Sequence, residues 1–140
     1  MRRKWPFGLL IRIFLSLLLL LVVPQPRPAN AQSAEANGGS YHPTMSADGR
    51  YVAFVSDAYN LVPDDTNYCE GFYSPSCPDI FVHDGLTGQT ERISVASDGT
   101  ESNMNSGAPS ISANGRYVAF SSDAGNLVNG DTNWATDVFL

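Results

Sequence analysis

The sequence is poor in positive charge beyond its first residues. The 140 residues carry 8 Lys and Arg against 14 Asp and Glu. Residues 32–140 hold all 14 acidic residues, no lysine and three arginines, so their net charge is −11. Because nucleic-acid binding needs basic side chains that displace counterions from phosphates, the composition argues against a nucleic-acid partner. The negative charge favours cations as binding partners, or it simply keeps the chain soluble outside the cell.

The sequence also offers little for catalysis. His42 and His83 are its only histidines, and it contains no H-E-x-x-H zinc motif. The nearest match to a G-x-S-x-G nucleophile motif is Gly-Gly-Ser-Tyr-His, which has His42 where the second glycine belongs. His83 stands beside Asp84 near a strand end, where such neighbours are more often a surface pair than a dyad. We therefore expect no catalysis by this chain itself.

Cysteine is scarce as well. Cys69 and Cys77 are the only two, and they form no C-x-x-C motif of the kind that indicates a metal or redox site. They flank a stretch rich in Gly, Ser and Pro, so in an oxidising compartment we expect a disulfide that closes an insertion at residues 68–78. In the chain-entropy model a loop of this size contributes about 2.5 kcal/mol.

The N-terminal residues predict a signal peptide over residues 1–31. Residues 2–4 are basic, Ile13–Val23 is apolar apart from one serine, and Ala29-Asn30-Ala31 is a small-residue cleavage site. Cleavage between Ala31 and Gln32 leaves a flexible linker at residues 32–39. A Sec-type signal is favoured over a twin-arginine signal, since Lys-Trp-Pro follows the arginine pair. The chain is therefore expected to be secreted, periplasmic or in the cell envelope.

The alternative is an uncleaved membrane anchor. Phe7–Val23 provides 17 residues with Arg12 among them, whereas a spanning helix needs about 20 apolar residues. Contact with a membrane is expected only through this segment, if it is retained.

The rest of the chain is an internal repeat. Pro43–Asn67 and Pro109–Asn133 match without gaps at 18 of 25 positions. The first copy then has about eight extra residues, which include both cysteines, before the copies rejoin as Asp-Ile-Phe-Val and Asp-Val-Phe-Leu. Without the insertion the unit is about 58 residues long, a period that indicates a repeated supersecondary unit.

Each unit predicts short strands and no helix. In the first unit the expected strands are Tyr41–Ser46, Arg50–Ser56, Asp79–His83 and Thr90–Val95, and the second unit repeats the first of them around Pro109–Ser112. The second strand is apolar on both faces and so must be covered on both sides. No stretch beyond residue 31 has a helical apolar period of useful length, so the predicted fold class is all-β.

Two finer features follow from the same patterns. Asp48-Gly49 and Asn114-Gly115 predict tight type I′ hairpin turns. In the fourth strand Arg92 and Ser94 alternate with Ile93 and Val95, which predicts a half-exposed outer strand.

Four antiparallel strands with covered inner strands are typical of a β-propeller blade. The segments Pro-Thr-Met-Ser-Ala-Asp-Gly-Arg-Tyr-Val-Ala-Phe and Pro-Ser-Ile-Ser-Ala-Asn-Gly-Arg-Tyr-Val-Ala-Phe, each followed by an Asp-led strand, resemble the TolB-type, or WD40-like, propeller repeat. The resemblance covers about residues 40–140 and implies a complete blade at 40–107 and a partial blade at 108–140. A plain β-sandwich is the structural alternative.

About two blades do not close a ring, which typically needs four to eight. We therefore expect the sequence to be the N-terminal piece of a longer protein. Self-assembly of several copies into a ring is the alternative.

The Asx-rich loops are the best candidates for chemistry. Asp131, Asn133 and Asp137 occupy positions 1, 3 and 7 of a would-be calcium loop, and Ca²⁺ prefers such oxygen ligands. Position 5 is Ala135 and no glycine stands at position 6, so the match to an EF-hand fails. The hypothetical site also includes the first-unit residues Asp65, Asn67 and Asp79.

The alternative without a ligand is that these loops contain Asx-turns. Asp and Asn often bond their own nearby backbone, and the pairs Asp57/Asn60 and Asp123/Asn126 are expected to do so.

Aromatic residues gather in or near the same loops. Exposed aromatics on loops can form a binding face for a protein or a sugar, and they can equally cover blade edges. The aromatics concerned are Tyr59, Tyr68, Phe72, Tyr73 and Trp134.

By resemblance, the expected function is that of an exported binding or scaffold module that presents loops and a channel to protein partners. A second reading is the accessory propeller of a secreted hydrolase or peptidase whose catalytic domain is absent from this sequence. A third is a calcium-stabilised cell-surface protein. Fold alone does not choose among them, because propellers host unrelated functions.

Overall fold

The computed structural model describes residues 35–67, 69 and 77–140. These residues form an all-β structure without a helix, as predicted. The predicted signal peptide, its cleavage between Ala31 and Gln32, and most of the insertion at 68–78 lie outside the described residues. Within the described ranges, no helix has the length and apolar character to cross a membrane.

The strands form two antiparallel sheets in which the order of the strands follows the sequence. The first sheet contains β1 (Ser40–Met45), β2 (Tyr51–Ser56), β3 (Asp79–Asp84) and β4 (Gln89–Arg92) in the order β1-β2-β3-β4. The second contains β5 (Ser106–Ile111), β6 (Val118–Ser122) and β7 (Asp137–Phe139) in the order β5-β6-β7. β5 begins two residues before the predicted boundary at residue 108.

The repeat is visible in the pairing registers. β1 pairs with β2 through Ser40↔Ser56, and β5 pairs with β6 through Ser106↔Ser122, with a register shift in the middle of each pair. In both sheets the third strand carries a phenylalanine stacked on the second strand. Phe81 lies 5.9 Å from Phe54, and Phe139 lies 5.6 Å from Phe120, measured between ring centroids.

The two sheets share one hydrophobic core. Val55 and Ile80 of the first sheet pack with Phe120 of the second, and with Ala124 and Leu127 of the loop after β6. Backbone hydrogen bonds also join the units, from Ala47 N–H to Ala113 O at 2.9 Å and from Ser106 N–H to Pro78 O at 2.8 Å. Apolar burial of this kind is the main favourable term in folding, so the packing of the two sheets against each other stabilises both.

The type I′ turn prediction is wrong at both hairpins. Type I′ needs positive φ at two central residues, but only Gly49 (φ 73°) and Gly115 (φ 71°) adopt it. Asp48 instead accepts hydrogen bonds from Ser46 Oγ at 2.6 Å and from Arg50 N–H at 3.1 Å. This local bonding holds Asp48 out of the left-handed region and leaves the positive φ to the glycine, in a longer loop closed by the bond from Ser46 N–H to Tyr51 O.

The repeat begins earlier than its best-matching segment. Glu35 and Asn37 are separated from Glu101 and Asn103 by the same 66-residue offset. Asn60 Nδ2 donates to Glu35 O at 2.9 Å, and Asn126 Nδ2 donates to Glu101 O at 2.8 Å. We call residues 35–39 and 101–105 the leading segments of the first and second units.

The expected Asx-turns at Asn60 and Asn126 are therefore wrong. Each asparagine binds the leading segment of its own unit, more than 20 residues away in sequence, instead of its local backbone. Asp57 accepts a hydrogen bond from Tyr41 Oη at 2.9 Å, and Asp123 accepts one from Thr136 Oγ1 at 2.5 Å.

The sulfur atoms of Cys69 and Cys77 are 1.93 Å apart, at disulfide distance, as predicted.

Candidate functional site

One arginine lies among three carboxylates at the edge of the first sheet. The side chain of Arg92, the last residue of β4, is only 10% exposed. Its Nη1 atom is 2.7 Å from Glu101 Oε2, 3.3 Å from Asp65 Oδ1 and 3.5 Å from Asp79 Oδ2. Its Nη2 atom donates to the backbone oxygen of Asp64 at 3.1 Å. We define the Arg92 cluster as Arg92, Asp65, Asn67, Asp79 and Glu101.

Four separate parts of the chain meet in this cluster. Asp65 and Asn67 come from the loop between β2 and β3, and Asp79 is the first residue of β3. Arg92 ends β4, whereas Glu101 belongs to the leading segment of the second unit and pairs with Val95 in an isolated bridge. The cluster therefore joins the fourth strand of one unit to the start of the next.

Asp79 is fully buried and has a complete set of partners. Its Oδ1 atom accepts from Ser94 Oγ at 2.5 Å and from Ser102 Oγ at 3.0 Å. Its Oδ2 atom accepts from Asn67 Nδ2 at 2.8 Å. A buried carboxylate needs such compensation, because an unpaired buried charge is very costly.

β4 is the outer strand of the first sheet and alternates between exposed and partly buried residues, as predicted, but the serine that follows it is not exposed. Ser94 is fully buried, and its hydroxyl bonds both Asp79 and the N–H of Ile80. The alternation of polar and apolar residues is real, but the polar face lies against the buried carboxylates of the same unit.

Burial dominates the electrostatics of the cluster. It raises the pKa of Asp65 to about 6, with the neighbouring Asp79 adding to the rise and Arg92 opposing it. Burial also raises the pKa of Asp79, against the hydrogen bonds from Ser94 and Asn67. Burial pushes the pKa of Glu101 up too, but hydrogen bonds from Thr66 and the charge of Arg92 outweigh it and lower that pKa.

Asp65 is the least satisfied member. Both of its carboxylate oxygens are buried, and neither accepts a hydrogen bond from any residue in the described ranges. With one cation for three carboxylates, the cluster holds a surplus of negative charge at neutral pH. A charge that is desolvated and only partly paired destabilises the folded state.

We predict that Asp65→Asn stabilises the chain at pH 8. The folded pKa of Asp65 lies above its ordinary value of 3.8, so the folded state binds this proton more tightly. Its ionisation therefore lowers stability as pH rises from about 4 to about 6. The free energy of unfolding, measured with urea, should rise by about 1–2 kcal/mol at pH 8 and should not change at pH 4. The value at pH 8 allows for the contact with Arg92 that the substitution removes.

The matched control is Asp131→Asn, at the corresponding position of the second unit, which should change stability by less than about 0.5 kcal/mol at either pH. A gain for Asp65→Asn that is equal at pH 4 and pH 8 would show that the effect is unrelated to ionisation.

The hypothetical calcium ligands occupy two different environments. In the first unit Asp65, Asn67 and Asp79 meet, but around Arg92. In the second unit Asn133 Nδ2 lies 3.3 Å from Asp137 Oδ2, and Asn133 N–H donates to Asp131 Oδ1 at 3.3 Å. Among the described residues, no group of three or more His, Cys, Asp or Glu side chains is arranged to hold a metal ion. Calcium binding stays a prediction, to be tested by calorimetric titration.

Both histidines lie in the described ranges, in separate places of the first sheet. His83 Nδ1 is 3.0 Å from Thr90 Oγ1. The adjacent Asp84 instead holds Arg50 through two contacts of 3.0 and 2.8 Å, and this bonding lowers the pKa of Asp84. His42 is exposed and lies edge-on to Tyr41, with 5.3 Å between ring centroids.

Two of the five loop aromatics lie in the described ranges. Trp134 is 98% exposed, with a positive φ of 54°, and Tyr59 is also exposed. Trp134 borders a cavity of about 220 Å³ beside Met104 and Asp131. Tyr68, Phe72 and Tyr73 lie outside the described residues.

The first strands of the two units form a second candidate site. β5 contacts β1, β2 and β3 of the first sheet. His42 and Ala108, at equivalent positions of β1 and β5, both have positive φ, 53° and 50°, at the register shift. With the prolines that follow them they line an open cavity of about 320 Å³. We call this surface the first-strand face: His42, Pro43, Ala108 and Pro109.

Three members of the Arg92 cluster, Asp65, Asn67 and Asp79, were predicted as site residues from the sequence, whereas Arg92 and Glu101 were not. The signal for Arg92 was its rarity, since it is one of only three arginines beyond residue 31 and so one of few possible partners for the acidic residues. The signal for Glu101 was the repeat itself, because Glu35 lies 66 residues earlier and a glutamate therefore stands at the start of both units.

Comparison of the chain with protein-family models, curated proteins and solved structures finds no match.

Proposed function

We propose that this chain is an exported binding module, built of blades of the β-propeller type, that presents its first-strand face to a protein partner and has no catalytic activity of its own. The observation that supports the proposal best is the placement of β1 beside β5. In a propeller the first strands of successive blades line the central channel, and binding residues concentrate on rigidly held loops and channel walls.

Two further features support a repeated blade. Both sheets run antiparallel in sequence order, and the Arg92 cluster joins the end of one unit to the start of the next. Such nearest-neighbour contacts are typical of repeat architectures.

The first-strand face suits a protein ligand. Bulges interrupt the pairing at His42 and Ala108, and bulges often occur where a strand redirects a side chain towards a binding site. His42, Pro43 and Ala108 are exposed, and proline and imidazole offer rigid surface at little cost in conformational entropy.

Site-specific photocrosslinking tests the proposal. A photoreactive amino acid is placed at position 42 or 108 and, as the control, at position 86, where Leu86 is exposed on the turn between β3 and β4. In cells that produce the chain, we expect the same protein adduct from positions 42 and 108 and none from position 86. Equal adducts from all three positions, or none from 42 and 108, would contradict the proposal.

Export is tested separately by N-terminal sequencing of the chain from the extracytoplasmic fraction of a bacterial host. We expect the sequence to begin at Gln32. A chain that retains Met1 and stays with the membrane would favour the anchor alternative.

A further inference from the structure

Asparagine is followed by glycine at three places in the chain, Asn37-Gly38, Asn114-Gly115 and Asn129-Gly130. In this dipeptide the backbone nitrogen of the glycine can attack the side-chain carbonyl carbon of the asparagine, because glycine has no Cβ atom to obstruct the approach. The amide nitrogen of the asparagine then leaves as ammonia, and a five-membered succinimide ring remains. The three dipeptides have similar chemistry in an unfolded chain, so the fold decides which of them reacts.

The first dipeptide, Asn37-Gly38, is held by hydrogen bonds and by packing. Asn37 N–H donates to Asn60 Oδ1 at 3.0 Å, and Asn37 Oδ1 accepts from Tyr59 N–H at 3.1 Å. Gly38 is packed so closely that a Cβ atom at this position would lie 2.7 Å from Ala58 N. The side chain must therefore break a hydrogen bond, and the glycine must leave a packed position, before the ring can close.

The second dipeptide, Asn114-Gly115, is held in a similar way in the hairpin between β5 and β6. Asn114 Oδ1 accepts hydrogen bonds from Ser112 Oγ at 2.8 Å and from Arg116 N–H at 3.2 Å. The attacking nitrogen is also engaged, since Gly115 N–H donates to Ser112 O at 2.9 Å. A Cβ atom at Gly115 would overlap the ring of Tyr51, so the backbone is packed here too.

The third dipeptide, Asn129-Gly130, has none of these restraints from the described residues. Both of its residues are exposed, in the loop between β6 and β7. Within the described ranges neither residue takes part in a hydrogen bond. A Cβ atom at Gly130 would have nothing within 4 Å apart from its chain neighbours. The amide group of Asn129 and the nitrogen that attacks it are therefore free to meet.

A neighbouring unit does not cover this position. The first unit has Pro63 and Asp64 at the equivalent places, and both are exposed although the second unit packs beside them. Asp64 has a positive φ of 61°, compared with 82° at Gly130, so its side chain occupies the space that is open at Gly130. The exposure of Asn129 and Gly130 is therefore a property of the loop itself.

We propose that Asn129 is a site of spontaneous deamidation, the one of the three asparagines that the fold leaves reactive. Gly130 N loses its proton to a solvent base and bonds to Asn129 Cγ, and the bond from Cγ to the amide nitrogen breaks as that nitrogen takes up a proton and leaves as ammonia. Water then opens the succinimide at either carbonyl, which gives aspartate or isoaspartate. The product carries an additional negative charge close to Asp131, and in isoaspartate the backbone is longer by a methylene group.

The test uses the full 140-residue chain, kept folded at pH 8 and sampled over several weeks. The residues beyond residue 31 at which trypsin cuts are Arg50, Arg92 and Arg116. Each asparagine-glycine dipeptide therefore falls on a different tryptic peptide. Deamidation raises the mass of its peptide by about 1 Da, and tandem mass spectrometry locates the residue. We expect Asn129 to be deamidated at least about tenfold faster than the asparagines of the other two dipeptides, which react only after local opening.

Two controls separate the fold from the local sequence. In guanidinium chloride the three asparagines should react at similar rates, because the restraints at Asn37 and Asn114 are lost. Asn129→Gln should abolish the mass change of the peptide of residues 117–140, since the longer side chain would have to close a six-membered ring. The rates at the other two dipeptides should not change in this variant. The site shares no residue with the first-strand face, so the two proposals stand independently.

Three outcomes would overturn the proposal. Asn129 could react no faster than Asn37 and Asn114 in the folded chain. It could react faster by the same factor in guanidinium chloride, which would trace the difference to the neighbouring sequence and not to the fold. The mass change could also persist in Asn129→Gln, which would place the modification at another residue of the same peptide.

Discussion

Arg92→Gln should destabilise the chain by about 3–5 kcal/mol at pH 8, the range seen when one partner of a buried ion pair is removed. Arg92 is the cation within reach of the buried carboxylates of Asp65 and Asp79 and of the partly exposed Glu101. Glutamine fills much of the same volume but leaves three negative charges together with little compensation. Urea unfolding of both proteins measures the difference directly.

The loss should depend on pH. Without the arginine, the already raised pKa values of Asp65 and Asp79 rise further, so both groups bind protons in the folded state at higher pH. A folded-state pKa above the unfolded value means that stability is recovered as pH falls. We therefore expect the deficit of Arg92→Gln to shrink markedly between pH 8 and pH 4.

The control is Arg116→Gln. Arg116 is exposed on the second hairpin, with its guanidinium 5.6 Å from the ring centroid of Tyr117, so its loss should cost less than about 1 kcal/mol. Equal stability of Arg92→Gln and the wild type would mean that the cluster contributes nothing net.

Arg92→Gln also tests the calcium prediction, because removal of the arginine leaves the oxygen atoms of the cluster around the position that its cationic group had occupied. Ca²⁺ should then raise the melting temperature of the variant more than that of the wild type.

Ile80→Ala should cost about 2–5 kcal/mol, whereas Val138→Ala should change stability by less than about 0.5 kcal/mol. The two residues occupy equivalent positions of the third strands. Ile80 is in contact with Val55 and Phe120 in the shared core, so its truncation leaves a cavity felt by both sheets. Val138 is mostly in solvent. Thermal and urea unfolding of the two variants side by side provide the measurement.

A large loss for Val138→Ala would contradict this expectation and would indicate that something covers the β7 edge in solution. A small loss for Ile80→Ala would mean that the core relaxes around the missing atoms. The comparison is well matched, because both changes truncate a β-branched residue within the same strand motif.

The strands were predictable because the same strand pattern occurs in both copies of the repeat. Two aligned copies show which residues belong to the shared strand pattern. The apolar residues on both faces of Arg50–Ser56 indicated an inner strand, which is β2 in the structure. The turn geometry was not predictable from the Asp-Gly and Asn-Gly dipeptides. The choice between turn types depends on the hydroxyls of Ser46 and Ser112, which bond the turn side chains.

The candidate site was predictable only in part. The aspartates and asparagines of the loops were evident in the sequence, and their spacing suggested a site for a hard cation. The cation that meets them in the first unit is the side chain of Arg92, 27 residues beyond Asp65. Alternation alone shows that Arg92 shares a face with Ser94, but it does not say whether that face meets water or another loop. That information resides in the long-range contacts of Asp79 with Ser94 and Ser102.

The origin of Glu101 in the second unit bears on how such a chain can change length during evolution. The junction takes its arginine from the end of one unit and its glutamate from the start of the next, and Glu35 stands at the start of the first unit. A tandem duplication of residues 35–100 would place a new glutamate after each copied arginine. Units could then be gained or lost by recombination without any new complementary surface having to arise.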